Sequence, residues 1–308
     1  MKIVALAGGT GAAKFLRGLC QVVEPADVTV IGNTGDDLEM WGLSVSPDLD
    51  TVMYTLGGVV DETKGWGVRD DSFHCKDAIG RLQAPTFFGL GDRDLATHLV
   101  RTAELRAGAS LTQVTARLAM RLGVKSRILP MTDDQVRTRV KTPDGWLDFQ
   151  EFFVRERCAP DILDIVFQGA ELARPAAGVT ASIAEASVVV ICPSNPVSSV
   201  GPILAVPGIR QALAETEARV VAVSPIVGRA PVSGPAGKMM SAKGVEVSPI
   251  GVAKSYVEFL DALVLDRQDT EFAAPLSSMG IQPIFTASIM SSREDEKALA
   301  RVVLERSP

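Results

Sequence analysis

The sequence predicts an α/β fold, a Rossmann-like and mostly parallel sheet flanked by helices, with a small helical insert domain. Short runs rich in Val and Ile alternate with longer stretches of helical spacing, which is typical of βαβ units. The clearest predicted strands span residues 2–7, 28–31, 187–192 and 219–223, and each is followed by a loop of small or polar residues. Because open α/β sheets bind ligands at the carboxyl ends of their strands, we expect the functional site in these loops.

The strand signal fades between residues 61 and 123. Segments 94–105 and 110–123 there show apolar residues at helical spacing, and Ser110 is the predicted N-cap of the second helix. We therefore predict a Rossmann-like domain formed by residues 1–60 and 124–308, interrupted by a helical insert at 61–123. Residues 137–153, which contain the turn sequence TPDG, predict a hairpin on the sheet edge.

The composition is that of a globular protein. Of the 308 residues, 46% are hydrophobic and 22% charged, which excludes intrinsic disorder and fibrous repeats. The net charge of −6 provides no general attraction to nucleic acid or to an anionic membrane, so we expect neither as a partner. No apolar run is long enough for a signal peptide or a membrane span, and we expect a soluble, cytoplasmic protein.

The numbers and spacing of the histidines and cysteines argue against several kinds of active site. The chain has only two histidines, His74 and His98, which argues against a multi-histidine metal centre and a Ser-His-Asp triad. His98 has apolar neighbours on a predicted helix, and we interpret it as a packed or capping residue. The four cysteines form no CxxC pair, so zinc-ribbon and thioredoxin-like functions have no support.

A glycine-rich turn follows the first predicted strand. Gly8, Gly9, Thr10 and Gly11 precede a helix predicted to begin near Ala12, with Lys14 in its first turn. Backbone N–H groups and the positive end of the helix could hold a phosphate here. The alternative is a tight turn that needs glycine only for its backbone conformation.

Aspartates cluster after the second predicted strand. Asp36, Asp37, Asp48 and Asp50 lie within fifteen positions. One or two such carboxylates could hold Mg²⁺ while waters and substrate phosphates complete the coordination. The alternative is that Asp36 or Asp50 caps a helix.

Three further segments are candidates for binding a phosphate or a nucleotide. Arg93 could clamp a phosphate or pair with neighbouring aspartates. Ser194 and Asn195 follow the third clear strand and Ser224 follows the fourth, in segments whose hydroxyl and N–H groups could bind a diphosphate or a nucleotide base. Proline-rich rigidity alone would also explain these two loops.

Nine segments in order give the sequence a specific resemblance. They are GGTGAAKFLRGL, NTGDD, SPDLDTVMYTLGG, GWGV, GLGDRDLATHLVR, ILPMTDD, DFQEFFV, PSNPVSSVGPIL and VSPIVGRAPVSGPAGK. Together they resemble the 2-phospho-L-lactate transferase family of deazaflavin coenzyme F-420 biosynthesis, over residues 2–259. The resemblance implies a Rossmann-like sheet with a small helical domain, in agreement with the pattern of strands and helices.

The resemblance also implies a reaction. A phosphorylated three-carbon acid, linked through a diphosphate to guanosine, would be transferred to the ribityl hydroxyl of 7,8-didemethyl-8-hydroxy-5-deazariboflavin (Fo). GMP would leave, a phosphodiester would form, and Mg²⁺ would be the cofactor. The acid remains open among phospholactate, phosphoenolpyruvate and phosphoglycerate, and a homodimer is expected from family habit and from the frequency of two-fold assemblies.

The same resemblance assigns site residues. Asp50, the second aspartate of PDLD, would contact Fo. A second contact would fall at Gly89, where archaeal relatives have a basic residue, so the backbone or another group such as Arg93 would have to serve.

Phosphoryl transfer demands charge stabilisation and in-line positioning. We therefore expect Asp48 and Asp50 to act in catalysis and, with Asp36 or Asp37, to hold Mg²⁺. Lys14 and the glycine turn would hold the donor phosphates, and the loops at Ser194 and Ser224 would complete the nucleotide pocket.

Two rival functions remain open at this point. The gluconeogenesis-factor family shares the opening glycine turn, and its members would be non-catalytic regulators that bind a nucleotide sugar. A dehydrogenase that uses NAD would require the third glycine of G-x-G-x-x-G, where this chain has Lys14.

Overall fold

The computed structural model describes residues 1–305, and these residues form fourteen strands and twelve α-helices. The strands are β1 (Ile3–Ala7), β2 (Val28–Gly32), β3 (Leu38–Met40), β4 (Leu43–Val45), β5 (Arg127–Pro130), β6 (Arg137–Thr142), β7 (Gly145–Asp148), β8 (Asp164–Gln168), β9 (Val188–Ile191), β10 (Arg219–Val223), β11 (Ile226–Val227), β12 (Ala230–Pro231), β13 (Ala262–Asp266) and β14 (Gln282–Thr286). The helices are α1 (Gly9–Leu19), α2 (Pro47–Leu56), α3 (His74–Arg81), α4 (Asp92–Arg106), α5 (Leu111–Arg121), α6 (Val179–Ala184), α7 (Val200–Ala205), α8 (Ile209–Glu215), α9 (Ala236–Ala242), α10 (Pro249–Lys254), α11 (Ala273–Ser278) and α12 (Arg293–Glu305).

Seven strands form a central sheet in the order β14-β13-β10-β9-β1-β2-β5, and every neighbouring pair is parallel. All residues of β1 and β9 are buried, as expected for strands covered by helices on both faces. The predicted fold class is therefore confirmed. The four predicted strands are β1, β2, β9 and β10, each matched to within one residue at its ends.

Side chains that alternate along β1 separate two hydrophobic cores. Ile3 and Ala5 face a core shared with α1, α2, α5 and α12, whereas Val4 and Leu6 face a core built mainly from helices α6 to α11. This alternation follows from the two-residue period of a strand.

The predicted helical insert contains α3, α4 and α5. Ser110 caps α5 as expected, because its hydroxyl accepts the N–H of Gln113 at 3.3 Å while the Gln113 side chain accepts the N–H of Ser110 at 3.1 Å. Helix α5 also packs Val114 and Leu118 into the core beneath the central sheet. The insert therefore shares a hydrophobic core with α1, α2 and α12. Its boundaries at residues 61 and 123 stay a prediction.

The predicted hairpin forms from β6 and β7, but its predicted position on the edge of the central sheet is wrong. The hairpin pairs with β8 in a separate antiparallel sheet of order β7-β6-β8, and the edges of the central sheet are β14 and β5. The physical reason lies in β6, where Thr138, Val140 and Thr142 are buried and the residues between them are more exposed. A strand with one apolar face suits an open antiparallel sheet rather than a sheet covered on both sides.

None of the helices within residues 1–305 combines the length and the apolar character needed to cross a membrane.

Candidate active site

A cavity of about 720 Å³ opens at the carboxyl ends of the parallel strands. Its walls come from the loops after β1, β2, β9, β10 and β14, together with the segment before α4 and the segment after β7. This is the position at which open α/β sheets bind ligands. Of the predicted site residues it brings together Gly8, Gly9, Thr10, Gly11, Lys14, Asp36, Asp48, Asp50, Gly89, Ser194, Asn195 and Ser224.

The glycine turn is forced by close approach of the backbone to its neighbours. A Cβ on Gly8 would lie 2.6 Å from Asp48 Oδ2, and a Cβ on Gly11 would lie 2.6 Å from the carbonyl oxygen of Pro193. Gly9 has a φ of +78°, in the left-handed region that favours glycine. The turn therefore requires glycine for its geometry and also lines the cavity. Phosphate binding by the turn stays a prediction.

Helix α1 begins at Gly9, so the predicted start near Ala12 is wrong. The first residues of the helix, Gly9, Thr10 and Gly11, are those of the turn itself. Lys14 consequently lies in the second turn instead of the first, half-buried in the cavity wall. Its ammonium can still reach an anion in the cavity, but from the side of the helix.

Asp48 is held rigidly against the glycine turn. Its Oδ1 accepts the N–H of Gly9 at 2.8 Å, and its Oδ2 accepts Nδ2 of Asn33 at 2.9 Å. Burial raises the pKa of Asp48, while the hydrogen bonds from Asn33 and Gly9 oppose this. Asp48 therefore places a carboxylate beside the positive end of α1.

Asp36 is buried and Asp37 half-buried, and the two have different surroundings. Asp36 lines the cavity, and its Oδ1 has no hydrogen-bond partner within residues 1–305. Burial, and then the charge of Asp48, raise the pKa of Asp36 well above its usual range. Asp37 is not among the lining residues; its Oδ2 accepts the hydroxyl of Ser46 at 2.7 Å, and burial raises its pKa to about 7.

Asp50 lies inside the first turn of α2, since the helix begins at Pro47, so it does not cap the helix. Its carboxylate forms a bidentate salt bridge with Arg101 of α4, in which Nη1 donates to Oδ2 at 3.0 Å and Nη2 donates to Oδ1. The Arg101 side chain is fully buried. A buried, doubly bonded guanidinium fixes the orientation of a carboxylate on the cavity wall.

His98 joins this buried group. Its Nδ1 accepts Nη1 of Arg101 at 3.2 Å, and its Nε2 lies 3.1 Å from Asp94 Oδ1, although the direction of approach is not that of a hydrogen bond. Asp94 Oδ1 accepts the hydroxyl of Tyr54 at 2.6 Å. The interpretation of His98 as a packed residue is confirmed by its burial, yet the ring also lines the cavity.

Gly89, which the resemblance assigned, and Arg93, which was considered as its replacement, lie apart. Gly89 lines the cavity, next to the ring of Trp66. Arg93 is exposed, is not a lining residue, and donates from Nη1 to the carbonyl of Arg69 at 3.0 Å. The structure therefore does not bring Arg93 to the cavity to replace a side chain at position 89.

The side chains of the two later loops bond to their own surroundings. Ser194 Oγ donates to the carbonyl of Gly8 at 2.9 Å, and Asn195 Oδ1 accepts the N–H of Val197 at 2.9 Å. Ser224 Oγ donates to the carbonyl of Ile226 at 2.7 Å. These three residues shape the cavity wall, and ligand contact by them stays a prediction.

The four aspartates predicted as metal ligands do not converge on one site in the part of the chain that the structure describes. No group of three or more His, Cys, Asp or Glu side chains within residues 1–305 converges in metal-binding geometry. Asp36 and Asp48 both line the cavity and repel each other, and Asp36 has an unpartnered oxygen. Two carboxylates fit Mg²⁺ when substrate phosphates supply further oxygens.

Aromatic side chains form a wall that the sequence reasoning missed. Trp66, Phe88, Phe149 and Phe153 all line the cavity. They come from three separate segments of the chain, so no spacing within any one segment indicates their convergence. The neighbours of Asp50 in the buried group, Arg101 above all, were missed for the same reason.

An open parallel sheet with a polar and aromatic cavity at its carboxyl edge defines an α/β ligand-binding protein of the Rossmann-like class. The chain belongs to the family described as 2-phospho-L-lactate transferase CofD, whose model matches residues 3–284. The predicted resemblance to transferases of coenzyme F-420 biosynthesis is thereby confirmed.

Named relatives cover nearly the whole chain. The phosphoenolpyruvate transferase of Kitasatospora aureofaciens is 48% identical over 99% of this chain and 97% of its own length. The 2-phospho-L-lactate transferase of Methanosarcina acetivorans is 41% identical over 98% of each chain. A crystal structure of a UPF0052 family member from Bacillus halodurans superposes with a TM-score of 0.66 at 17% identity, covering 98% of both chains, which supports the fold.

Proposed function

We propose that this protein transfers a phosphorylated three-carbon acid from a guanosine diphospho-linked donor to the ribityl hydroxyl of Fo, with release of GMP. The observation that carries the proposal is the cavity itself, in which the glycine turn, the carboxylates of Asp36 and Asp48, and the Arg101-bound carboxylate of Asp50 face one space. Membership of a transferase family supports the same reaction.

The donor proposed here carries phosphoenolpyruvate. This assignment rests on the relatives, because the phosphoenolpyruvate transferase of Kitasatospora aureofaciens is 48% identical and the 2-phospho-L-lactate transferase of Methanosarcina acetivorans is 41% identical. The product would be the unsaturated form of the deazaflavin phosphodiester.

The residues divide the work between the two substrates. The first turn of α1 and the Lys14 ammonium bind donor phosphates, since N–H groups and a positive helix end favour anions. Asp50, oriented by Arg101, accepts a hydrogen bond from the attacking hydroxyl. The hydroxyl oxygen bonds to the phosphorus that bears the acid, the bond from this phosphorus to the oxygen of GMP breaks, and the hydroxyl proton passes to solvent.

Mg²⁺ would be held by Asp36 and Asp48, and when bound it would neutralise charge on the diphosphate. This assignment differs from the sequence-based hypothesis that paired Asp48 with Asp50. The charge of Asp50 is already balanced by the Arg101 guanidinium, whereas the groups that bond to Asp48 are uncharged. The homodimer and the cytoplasmic location stay predictions.

A competition assay tests the proposal. Purified protein, Fo and Mg²⁺ are incubated with equal amounts of guanosine diphospho-linked phosphoenolpyruvate, phospholactate and phosphoglycerate, and deazaflavin products are separated by mass. The enolpyruvyl product should dominate. If another acid dominates, the donor assignment is wrong. If no phosphodiester forms and a nucleotide sugar binds without turnover, the transferase function itself is excluded in favour of a regulator.

A further inference from the structure

Trp66 is a large aromatic side chain that lines the cavity and remains 42% exposed. It lies between two glycines in the left-handed region, Gly65 with φ +78° and Gly67 with φ +71°. An exposed indole at a cavity wall leaves apolar area that a ligand can cover, and tryptophan is the residue that gains most from such coverage.

The turn that carries Trp66 is well braced. The N–H of Gly65 donates to the carbonyl of Asp61 at 2.8 Å, and the Lys64 ammonium pairs with the Asp61 carboxylate at 2.9 Å. Val60 and Val68 pair as an antiparallel bridge that closes the turn. Lys64 also lies 5.7 Å from the centroid of the Trp66 ring, within the range of a cation–π contact. The ring is therefore positioned before any ligand arrives.

Gly89 provides the space that the Trp66 ring occupies. A Cβ at position 89 would lie 3.3 Å from Cη2 of Trp66, and larger side chains would have to displace the ring. The indole can therefore keep its position only because residue 89 has no side chain.

The ring shares the cavity with Asp50. Trp66 and Gly89 come from the segment between α2, which carries Asp50, and α4, which carries Arg101. The loops of Ser194 and Ser224 follow β9 and β10 on the other side of β1. A flat heteroaromatic ring against Trp66 would therefore occupy the same cavity as the carboxylate proposed to bind the attacking hydroxyl. Guanine of the donor would lie near the β9 and β10 loops.

We propose that Trp66 is the stacking platform for the deazaflavin ring of the acceptor and that Gly89 is the spacer that admits it. The proposal rests on the proposed function for the identity of the acceptor. Stacking would hold the ring while the ribityl chain extends toward Asp50.

The test uses Trp66→Ala and Trp66→Phe, with Trp146→Phe as the matched control. Trp146 is also exposed and also has a lysine near its ring, Lys141 at 5.9 Å, but it lies on β7 and is not a lining residue. The KM for Fo, the KM for the donor and kcat are measured, together with quenching of tryptophan fluorescence by Fo alone. Thermal unfolding checks that each variant is folded.

The proposal predicts that Trp66→Ala raises the KM for Fo about tenfold with little change in the KM for the donor, as expected for loss of a stacked ring. Trp66→Phe should lose less. Fo should quench wild-type and Trp146→Phe fluorescence, and the quenching should be largely lost in Trp66→Phe.

Gly89→Leu supplies a coupling test. It should raise the KM for Fo in the wild-type background and have little additional effect in Trp66→Ala, because both changes remove the same contact.

An unchanged KM for Fo in a folded, active Trp66→Ala variant would overturn the proposal while leaving the transferase function intact. A rise confined to the KM for the donor would assign the platform to guanine and equally overturn it. Failure of the wild-type protein to bind or convert Fo would overturn the proposed function, and the acceptor assignment with it.

Discussion

At the scale of single residues, the carboxylates around the cavity differ in what holds them. Asp50 bonds to a buried guanidinium, Asp48 bonds to a backbone N–H and an amide, and Asp36 has an oxygen with no partner within residues 1–305. Aspartates that look alike in the sequence therefore have different chemical capacities. Only contacts from distant parts of the chain, above all Arg101, create these differences.

Replacing Arg101 should leave Asp50 buried without its partner. We expect Arg101→Leu to lower the free energy of unfolding by about 3–5 kcal/mol, the usual cost of an uncompensated buried charge. Urea unfolding measures this. Arg106→Leu is the control, because Arg106 is on the same helix but its guanidinium contacts the Gly42 carbonyl near the surface. Equal losses in the two variants would contradict the importance of the buried pair.

The assignment of Mg²⁺ to Asp36 is tested by comparing it with its neighbour. We expect Asp36→Asn to raise the Mg²⁺ concentration for half-maximal activity at least about tenfold, because one of two anionic ligands is lost. Asp37→Asn should change it little, since Asp37 does not line the cavity. Activity is titrated with Mg²⁺ after removal of metal by a chelator. A larger effect at Asp37, or full activity in excess chelator, would refute the assignment.

At the scale of elements, the position of the glycine turn depends on how α1 packs. Helix α1 crosses α12 at Gly18, where an added Cβ would overlap the backbone of Glu296, and Arg17 Nε donates to Glu296 Oε2 at 2.8 Å beside this crossing. The sequence predicts that a helix follows β1. Within that helix, a glycine at position 18 would be expected only to lower the helix propensity. Its role is visible only when α12, some 280 positions later in the sequence, is placed against it.

The close crossing predicts opposite effects for one substitution at two helical glycines. Gly18→Ala should destabilise the protein by about 1–3 kcal/mol through overpacking against a backbone that cannot yield. Gly80→Ala in α3 should stabilise it by about 0.5–1 kcal/mol, because its Cβ would have ordinary contact with Thr86 Cγ2 at 3.6 Å and helix propensity improves. Thermal unfolding of both variants measures these changes in stability. A stabilised Gly18→Ala variant would contradict the prediction, because it would show that α1 and α12 can move apart without cost.

At the scale of the whole molecule, the sequence reveals local features and leaves their assembly open. The parallel sheet, the Ser110 cap and the site at the strand ends are predictable because the patterns that indicate them, alternating strands and helices, a capping residue and polar loops after strands, are local in sequence. The separate sheet of β6, β7 and β8, the buried pair of Asp50 and Arg101, and the aromatic wall around Trp66 depend on contacts between distant segments. The loops of the candidate site are therefore predictable from the sequence, but the buried pair and the aromatic wall are not.

The most direct test of the account follows the oxygen atom of the attacking hydroxyl. Fo labelled with ¹⁸O at its terminal ribityl hydroxyl is incubated with the donor, Mg²⁺ and purified protein, and both products are analysed by mass spectrometry. The account predicts that the deazaflavin phosphodiester retains the label and that the released GMP carries none. Labelled GMP, loss of the label from the deazaflavin, or no phosphodiester at all would contradict it.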